Sequence, residues 1–86
     1  MLQIINNKTN TSILLDSREC IHLELSLNVT RHGNEWKHIG DALYEYGTER
    51  VGENSTLTVT EEQFGFLLLL REKGSWRECS NLSLYP

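Results

Sequence analysis

The chain has 86 residues, of which 12 are acidic and 8 basic, giving a net charge of -4. A chain of this length forms one domain with a small core, so we expect residues 1–86 to fold as a single unit. The acidic balance and the scattered Lys and Arg side chains argue against direct binding to a nucleic-acid backbone.

The longest apolar run, Phe64–Leu70, is far shorter than the about 20 residues that a membrane-spanning helix needs. The first residues also lack the apolar core of a signal peptide, because Asn6, Asn7 and Lys8 follow so early. These features predict a cytoplasmic protein with no membrane partner.

The N-terminal part of the chain predicts a β-hairpin. Leu2–Ile5 and Ser12–Leu15 are apolar runs, and the residues between them are mainly Asn and Thr. Such side chains favour turns because they form hydrogen bonds with nearby backbone groups.

The segment Cys20–Thr30 predicts the central strand. Its apolar and polar residues alternate strictly, which is typical of a strand with one buried face. Asp16–Glu19 then predicts the turn that leads into this strand, and short connections favour antiparallel pairing. The side chains expected to line a shared interior are Ile21, Leu23, Leu25, Leu27 and Val29.

The next segment, Glu35–Tyr46, predicts a helix. Asn34 is placed to cap its start, and Gly47 to supply a left-handed residue beyond its end. A strand paired with Cys20–Thr30 is the alternative for the same segment. The helical interpretation depends on apolar residues spaced by three, four and three positions, namely Trp36, Ile39, Leu43 and Tyr46.

A second helix is predicted over Glu61–Lys73. Thr60 and Gln63 have the spacing of a capping box, and Gly74 follows as a C-terminal stop. A β-hairpin turning at Glu72–Ser75 is the alternative.

The remaining segments complete an α+β fold. Thr48–Asn54 reads as a loop, and the alternation in Ser55–Thr60 predicts a short strand, with Trp76–Cys79 and Leu82–Tyr85 as further strands. We therefore expect a small antiparallel sheet of four or five strands, with one or two helices packed on one face.

Two arrangements of Cys and His carry the chemical hypotheses. On one strand face, Cys20, His22 and Glu24 would lie about 6.5–7 Å apart; these are the residue types of a thiol nucleophile with a base and an orienting group, although the spacing is loose for hydrogen bonding, and an ordinary polar strand face is the alternative. Adding Cys79 and either His32 or His38 would complete a tetrahedral zinc set, although no C-x₂-C pair occurs. A disulfide between Cys20 and Cys79 is an alternative to two reduced cysteines. Without a phosphate-binding, G-x-S-x-G or H-E-x-x-H motif, we expect no cofactor and no catalytic residue.

Acidic and aromatic residues carry the binding hypothesis. An acidic residue recurs every fourth position at Asp41, Glu45, Glu49 and Glu53, which on one helix would form a stripe resembling DNA phosphates, or an ordinary solvated face. Aromatic and Arg side chains anchor protein interfaces, or else lie at the edge of a small core. The predicted partner-binding residues are Trp36, Asp41, Tyr44, Glu45, Tyr46, Glu49, Trp76 and Arg77.

The sequence thus predicts a small acidic protein-binding module without enzymatic activity. Its expected role is that of an inhibitor or modulator of a larger macromolecular machine, of the phage or mobile-element anti-defence type, with a nucleic-acid enzyme as one such target. A homo-oligomeric accessory protein, including a homodimer, is the first alternative. A small metal- or thiol-dependent enzyme using Cys20 and His22 is the second.

Overall fold

The computed structural model describes residues 1–48 and 54–73, which form an α+β fold. Within these residues a mixed three-stranded sheet packs against three helices. The elements in chain order are β1 (Leu2–Asn6), β2 (Ser12–Leu15), α1 (Ser17–Thr30), α2 (Asn34–Gly47), β3 (Ser55–Val59) and α3 (Glu61–Lys73).

The predicted N-terminal hairpin is confirmed. Strands β1 and β2 pair antiparallel, with Leu2 opposite Leu15. In the turn, the side-chain oxygen of Asn6 accepts a hydrogen bond from the Lys8 backbone N–H at 2.9 Å. Asn10 has a φ of 61°, a left-handed conformation that Asn tolerates better than most residues.

The predicted antiparallel character of the sheet is wrong for its third strand. The sheet order is β2-β1-β3, and β3 runs parallel to β1. A parallel pair needs a long crossover between its strands, and here α1 and α2 lie in that connection. Within the described residues the sheet has three strands where four or five are predicted for the chain, and the segment 20–30 is not one of them. Of the other predictions, the loop segment 49–53, the stop at Gly74 and the strands at 76–79 and 82–85 lie outside the described residues.

The prediction of a central strand at 20–30 is wrong, because these residues lie within α1. The side chains of Ile21 and Leu25 are 41% and 48% exposed, so the alternating aliphatic residues do not line a shared interior. The buried face instead has helical spacing and consists of Cys20, Leu23, Ser26, Leu27 and Thr30.

The start of α1 explains why a helix forms there. Asp16 and Glu19 make a capping box, in which the Glu19 N–H donates to Asp16 Oδ1 at 2.8 Å and the Asp16 N–H donates to Glu19 Oε1 at 3.3 Å. This reciprocal pair satisfies two backbone donors that a helix start leaves free. The predicted turn at 16–19 is therefore the cap and first turn of the helix.

The two predicted helices are confirmed as α2 and α3, so the strand alternative for 35–46 is wrong. The hairpin alternative at 72–75 is also wrong for residues up to Lys73, which are helical. Thr60 and Gln63 form the predicted capping box, with hydrogen bonds of 3.0 and 3.1 Å. The caps of α2 differ from the prediction.

In α2 the capping positions are shifted by one residue. Gly33, and not Asn34, is the N-cap, and it has no side chain to bond the free N–H groups. Gly47 is the last helical residue, and the cap after it is Thr48 with a φ of -89°, which is not left-handed. Glycine fits at position 47 because Ile21 of α1 lies against it and leaves no room for a side chain.

A single core joins the sheet and the helices. In β1 the side chains of Leu2 and Ile4 are buried, and Ile4 is paired with the buried Leu57 of β3. These residues form one cluster with the buried faces of all three helices. The register places Gln3, Leu14 and Thr56 on the other face, where Leu14 is 53% exposed. Among the described helices, none has the length and apolar character that a membrane crossing requires.

Candidate interaction surface

Three aromatic rings meet where the α1–α2 turn approaches α3. We call His32, Trp36 and Phe66 the aromatic cluster. Their ring centroids lie 5.0 Å (His32–Trp36), 4.5 Å (His32–Phe66) and 5.1 Å (Trp36–Phe66) apart. Both contacts with Phe66 are edge-to-face, the geometry that aromatic pairs prefer. His32 is exposed and the other two rings are half-buried, so the cluster forms part of the surface.

Local backbone structure positions the three rings. Arg31 has a left-handed conformation with a φ of 54°, and its N–H donates to the Leu27 carbonyl, which ends α1. The Trp36 N–H donates to the Gly33 carbonyl at 2.9 Å in the first turn of α2. The short turn therefore places His32 and Trp36 side by side, while the capping box of α3 fixes the start of the helix that carries Phe66.

Two grooves adjoin the cluster, and Trp36 lines both of them. The first, the α1–α2 groove, has a volume of about 280 Å³. The second, the hairpin–α3 groove, has a volume of about 460 Å³. The α1–α2 groove is lined by Glu24, Leu27, Asn28, His32, Gly33, Asn34, Trp36, Lys37, Gly40 and Asp41, and the hairpin–α3 groove by Asn7, Lys8, Glu35, Trp36, Thr60, Glu61, Glu62 and Gln63.

The grooves carry an excess of negative charge. Lys8 pairs with Glu61 at 3.3 Å, but both side chains are well exposed, so this ion pair adds little stability. Glu24 accepts a hydrogen bond from the Asn28 side chain one turn later. The five carboxylates belong to Glu24, Glu35, Asp41, Glu61 and Glu62, and the two ammonium groups to Lys8 and Lys37. A positively charged partner is the electrostatic complement of this surface.

The predicted partner-binding residues fall into several places. Trp36 and Asp41 both line the α1–α2 groove. Tyr44, at 50% exposure, and the exposed Glu45 lie on α2 but line neither groove. Tyr46 is buried in the core, where a partner does not reach it. Glu49, Glu53, Trp76 and Arg77 lie outside the described residues, so only the first two members of the acidic stripe are placed.

Two members of the aromatic cluster, His32 and Phe66, were not among the predicted partner-binding residues. Phe66 was hidden in the apolar sequence of α3, where Phe64, Leu67 and Leu70 form the buried stripe. Its position off that spacing was a usable signal for a surface role. His32 precedes Trp36 by four residues, but the turn between α1 and α2 was needed to bring the two rings together.

The proposed alternation of Cys20, His22 and Glu24 on one strand face is wrong. Residues two positions apart on a helix lie about 200° apart around its axis, so they do not share a face. Cys20 is a free and fully buried thiol, whereas His22 and Glu24 are half-buried. Within residues 1–48 and 54–73, no group of three or more His, Cys, Asp or Glu side chains is arranged to hold a metal ion.

The electrostatics of Cys20 oppose the thiolate form. Burial, followed by the charges of Asp16 and Glu19, raises the pKa of Cys20 to about 11. Because the thiolate is the reactive and metal-binding form, this thiol is protonated and inert near pH 7. Burial and the neighbouring Cys20 also raise the pKa of Tyr46.

Comparison with known proteins assigns no family to this chain. No family model, no curated protein and no solved structure matches it. A functional proposal for this chain is therefore based on the chemistry of its own surface.

Proposed function

We propose that this chain is a cytoplasmic protein-binding module without enzymatic activity, and that it binds through the aromatic cluster and the two adjoining grooves. The observation that carries the proposal is the position of Trp36, which contacts two other rings and forms a wall of both grooves. Half-buried aromatic side chains beside concave surfaces are typical centres of protein interfaces.

The charge of the surface supports a basic partner. Five carboxylates against two ammonium groups line the grooves. Nucleic-acid enzymes present basic clefts to phosphates, and an acidic module that enters such a cleft acts as an inhibitor. We therefore propose an inhibitor or modulator of such an enzyme, in the manner of phage and mobile-element products that act against host defence.

The proposal is tested with two variants on the same helix. Trp36→Ala removes the shared wall of the grooves, whereas Tyr44→Ala removes an equally aromatic, exposed side chain that lines neither groove. Tagged wild-type protein is used to capture a partner from lysate, and calorimetry then measures its affinity for both variants. We expect Trp36→Ala to weaken binding by about 30-fold, as for an interface hot spot, and Tyr44→Ala to have little effect.

Circular dichroism of both variants controls for folding. Loss of binding in Tyr44→Ala alone would place the contact outside the two grooves and contradict the proposed surface. Failure of the wild type to retain any stoichiometric partner would contradict the protein-binding function itself. Because the surface is acidic, a genuine partner should also bind more weakly at higher salt.

A homo-oligomeric accessory protein is a second candidate function. Ile21 and Leu25 lie one turn apart on α1 and are unusually exposed for aliphatic side chains. A second copy that packs on this stripe would bury them. Sedimentation at tens of micromolar tests this candidate, since a strict monomer excludes it and a dimer that Leu25→Glu dissociates supports it.

A further inference from the structure

A third concave site lies between α1 and α3, away from the aromatic cluster. It is a pocket of about 270 Å³ lined by Arg18, Glu19, His22, Leu23 and Arg71. The pocket is lined by two guanidinium groups, one imidazole and one carboxylate, so it carries a positive charge although the whole chain has a net charge of -4. The charge of this pocket is thus opposite to that of the two grooves.

The two helices hold the basic groups at the pocket. Arg18 and His22 are four residues apart on α1, so their side chains are neighbours on one helix face. From α3, Arg71 Nε donates to Glu19 Oε2 at 2.8 Å. The other oxygen of Glu19 accepts from the Asp16 N–H, so the carboxylate that orients Arg71 is itself held in the capping box.

Donors at the pocket are left without acceptors. The bond to Glu19 uses Arg71 Nε, so the terminal nitrogens of that guanidinium make no bond within the described part of the chain. Arg18 forms no ion pair or hydrogen bond there either. His22 Nε2 is buried and has no hydrogen-bond partner among the described residues. Guanidinium groups bind carboxylates and phosphates through paired N–H donors.

We propose that this pocket binds a small organic anion. Its carboxylate or phosphate group is bound by Arg18 and Arg71, and its apolar body packs on the aliphatic stems of these two side chains, beside the half-buried His22. The volume of about 270 Å³ lies just below the usual range for ligand pockets, which begins at about 300 Å³, and this limits the ligand to a small molecule or a terminal group. The site shares no residue with the two grooves, so it stands apart from the protein-binding function.

The probes are sodium benzoate and phenyl phosphate, which differ in the acidic group, and sodium acetate, which lacks the ring. Each is titrated into the full chain at pH 7 and constant ionic strength while amide chemical shifts are recorded. We expect saturable shifts at residues 18–23 and 71 with benzoate or phenyl phosphate, and weaker binding of acetate. Whichever ring compound binds supports the proposal and identifies the acidic group, whereas equal affinity for acetate and benzoate overturns the proposed contact with the apolar body of the ligand.

Variants decide whether the arginines bind the anion. Arg71→Gln and Arg18→Gln should each weaken binding by about tenfold, the usual effect of losing a charge-assisted hydrogen bond. Arg18→Gln leaves the Glu19–Arg71 ion pair intact, so it tests binding without disturbing the contact between the helices. Arg31→Gln, at an exposed arginine outside the pocket, is the matched control and should bind as the wild type does. Shifts that do not saturate, or unchanged affinity in Arg18→Gln, would overturn the proposal.

Discussion

The helices α1 and α2 form a hairpin whose two ends are packed differently. We call the end away from the connecting turn, where Gly47 meets Ile21, the closed end, and the part towards the turn, beside Gly40, the open end. At the closed end, Gly47 of α2 lies against Ile21, and a methyl group added at residue 47 would overlap the Ile21 side chain and lie 3.2 Å from its backbone nitrogen. At the open end, a methyl group at Gly40 would have no atom within 4 Å, and the α1–α2 groove occupies the space.

This difference separates stability from binding within one pair of helices. The closed end buries Cys20, Leu43 and Tyr46, and such burial is the main source of folding free energy. At the open end His32 is exposed and Trp36 is half-buried. A binding surface thus rests on a rigid support only a few turns away.

Both ends of the helix pair depend on which residues of α1 face the core. A pair of alanine variants tests this, and one of them is expected to have the largest effect on the free energy of unfolding. Leu23 is 1% exposed and Leu25 is 48% exposed. We expect Leu23→Ala to lower the free energy of unfolding by about 2–5 kcal/mol, the range for buried leucines, and Leu25→Ala by well under about 1 kcal/mol. Urea denaturation measures both. Equal losses would indicate a strand with both side chains inward and would break the comparison.

The same two leucines show how far the sequence could predict the fold. Strict alternation in 20–30 imitates a strand. The spacing of Asp16 and Glu19 is that of a capping box, the signal that predicts α3 at Thr60 and Gln63, and interpreting Asp16–Glu19 as a turn overlooks it. The β1–β2 hairpin and α2 could be predicted from the sequence because the spacing of their apolar residues agreed with their turn signals. The sequence could not predict the parallel pairing of β1 with β3 or the ring contacts of Phe66, since both depend on contacts between residues far apart in sequence.

The buried thiol makes the closed end sensitive to alkaline pH. Unfolded Cys20 loses its proton around pH 9.0, while in the folded chain its pKa is about 11. The folded state therefore binds more protons between these values, and its stability is complete below pH 9 and falls as the pH rises to 11. The loss reaches at most about 2–3 kcal/mol.

Denaturation of the wild type and Cys20→Ala across pH 8–11 measures this dependence. The variant should show the smaller decline, with the remaining decline due partly to Tyr46, whose pKa is also raised. Equal slopes in the two proteins would mean that Cys20 is open to solvent, and the closed end would not be closed.

Two glycines of α2 provide the most direct contrast between the ends. Gly47→Ala should lower the free energy of unfolding by about 1–3 kcal/mol, because Ile21 must rotate or α1 must move away. Gly40→Ala should raise it by about 0.5–1 kcal/mol, since alanine is the better helix former and the space is free. Thermal denaturation compares the pair, and a change of the same sign in both would show that the two ends are packed alike.

The smallest expected effect concerns the Tyr46 hydroxyl, which is buried without a hydrogen-bond partner in the described structure. An unpaired buried hydroxyl destabilises the folded state, and Tyr46→Phe removes it while keeping the ring. We expect the variant to be more stable by about 1 kcal/mol, measured by its urea midpoint. Destabilisation of similar size would instead show that the hydroxyl has a partner such as a bound water molecule. In that case the closed end would resemble the open end in admitting solvent, and the Cys20 pH dependence should be small as well.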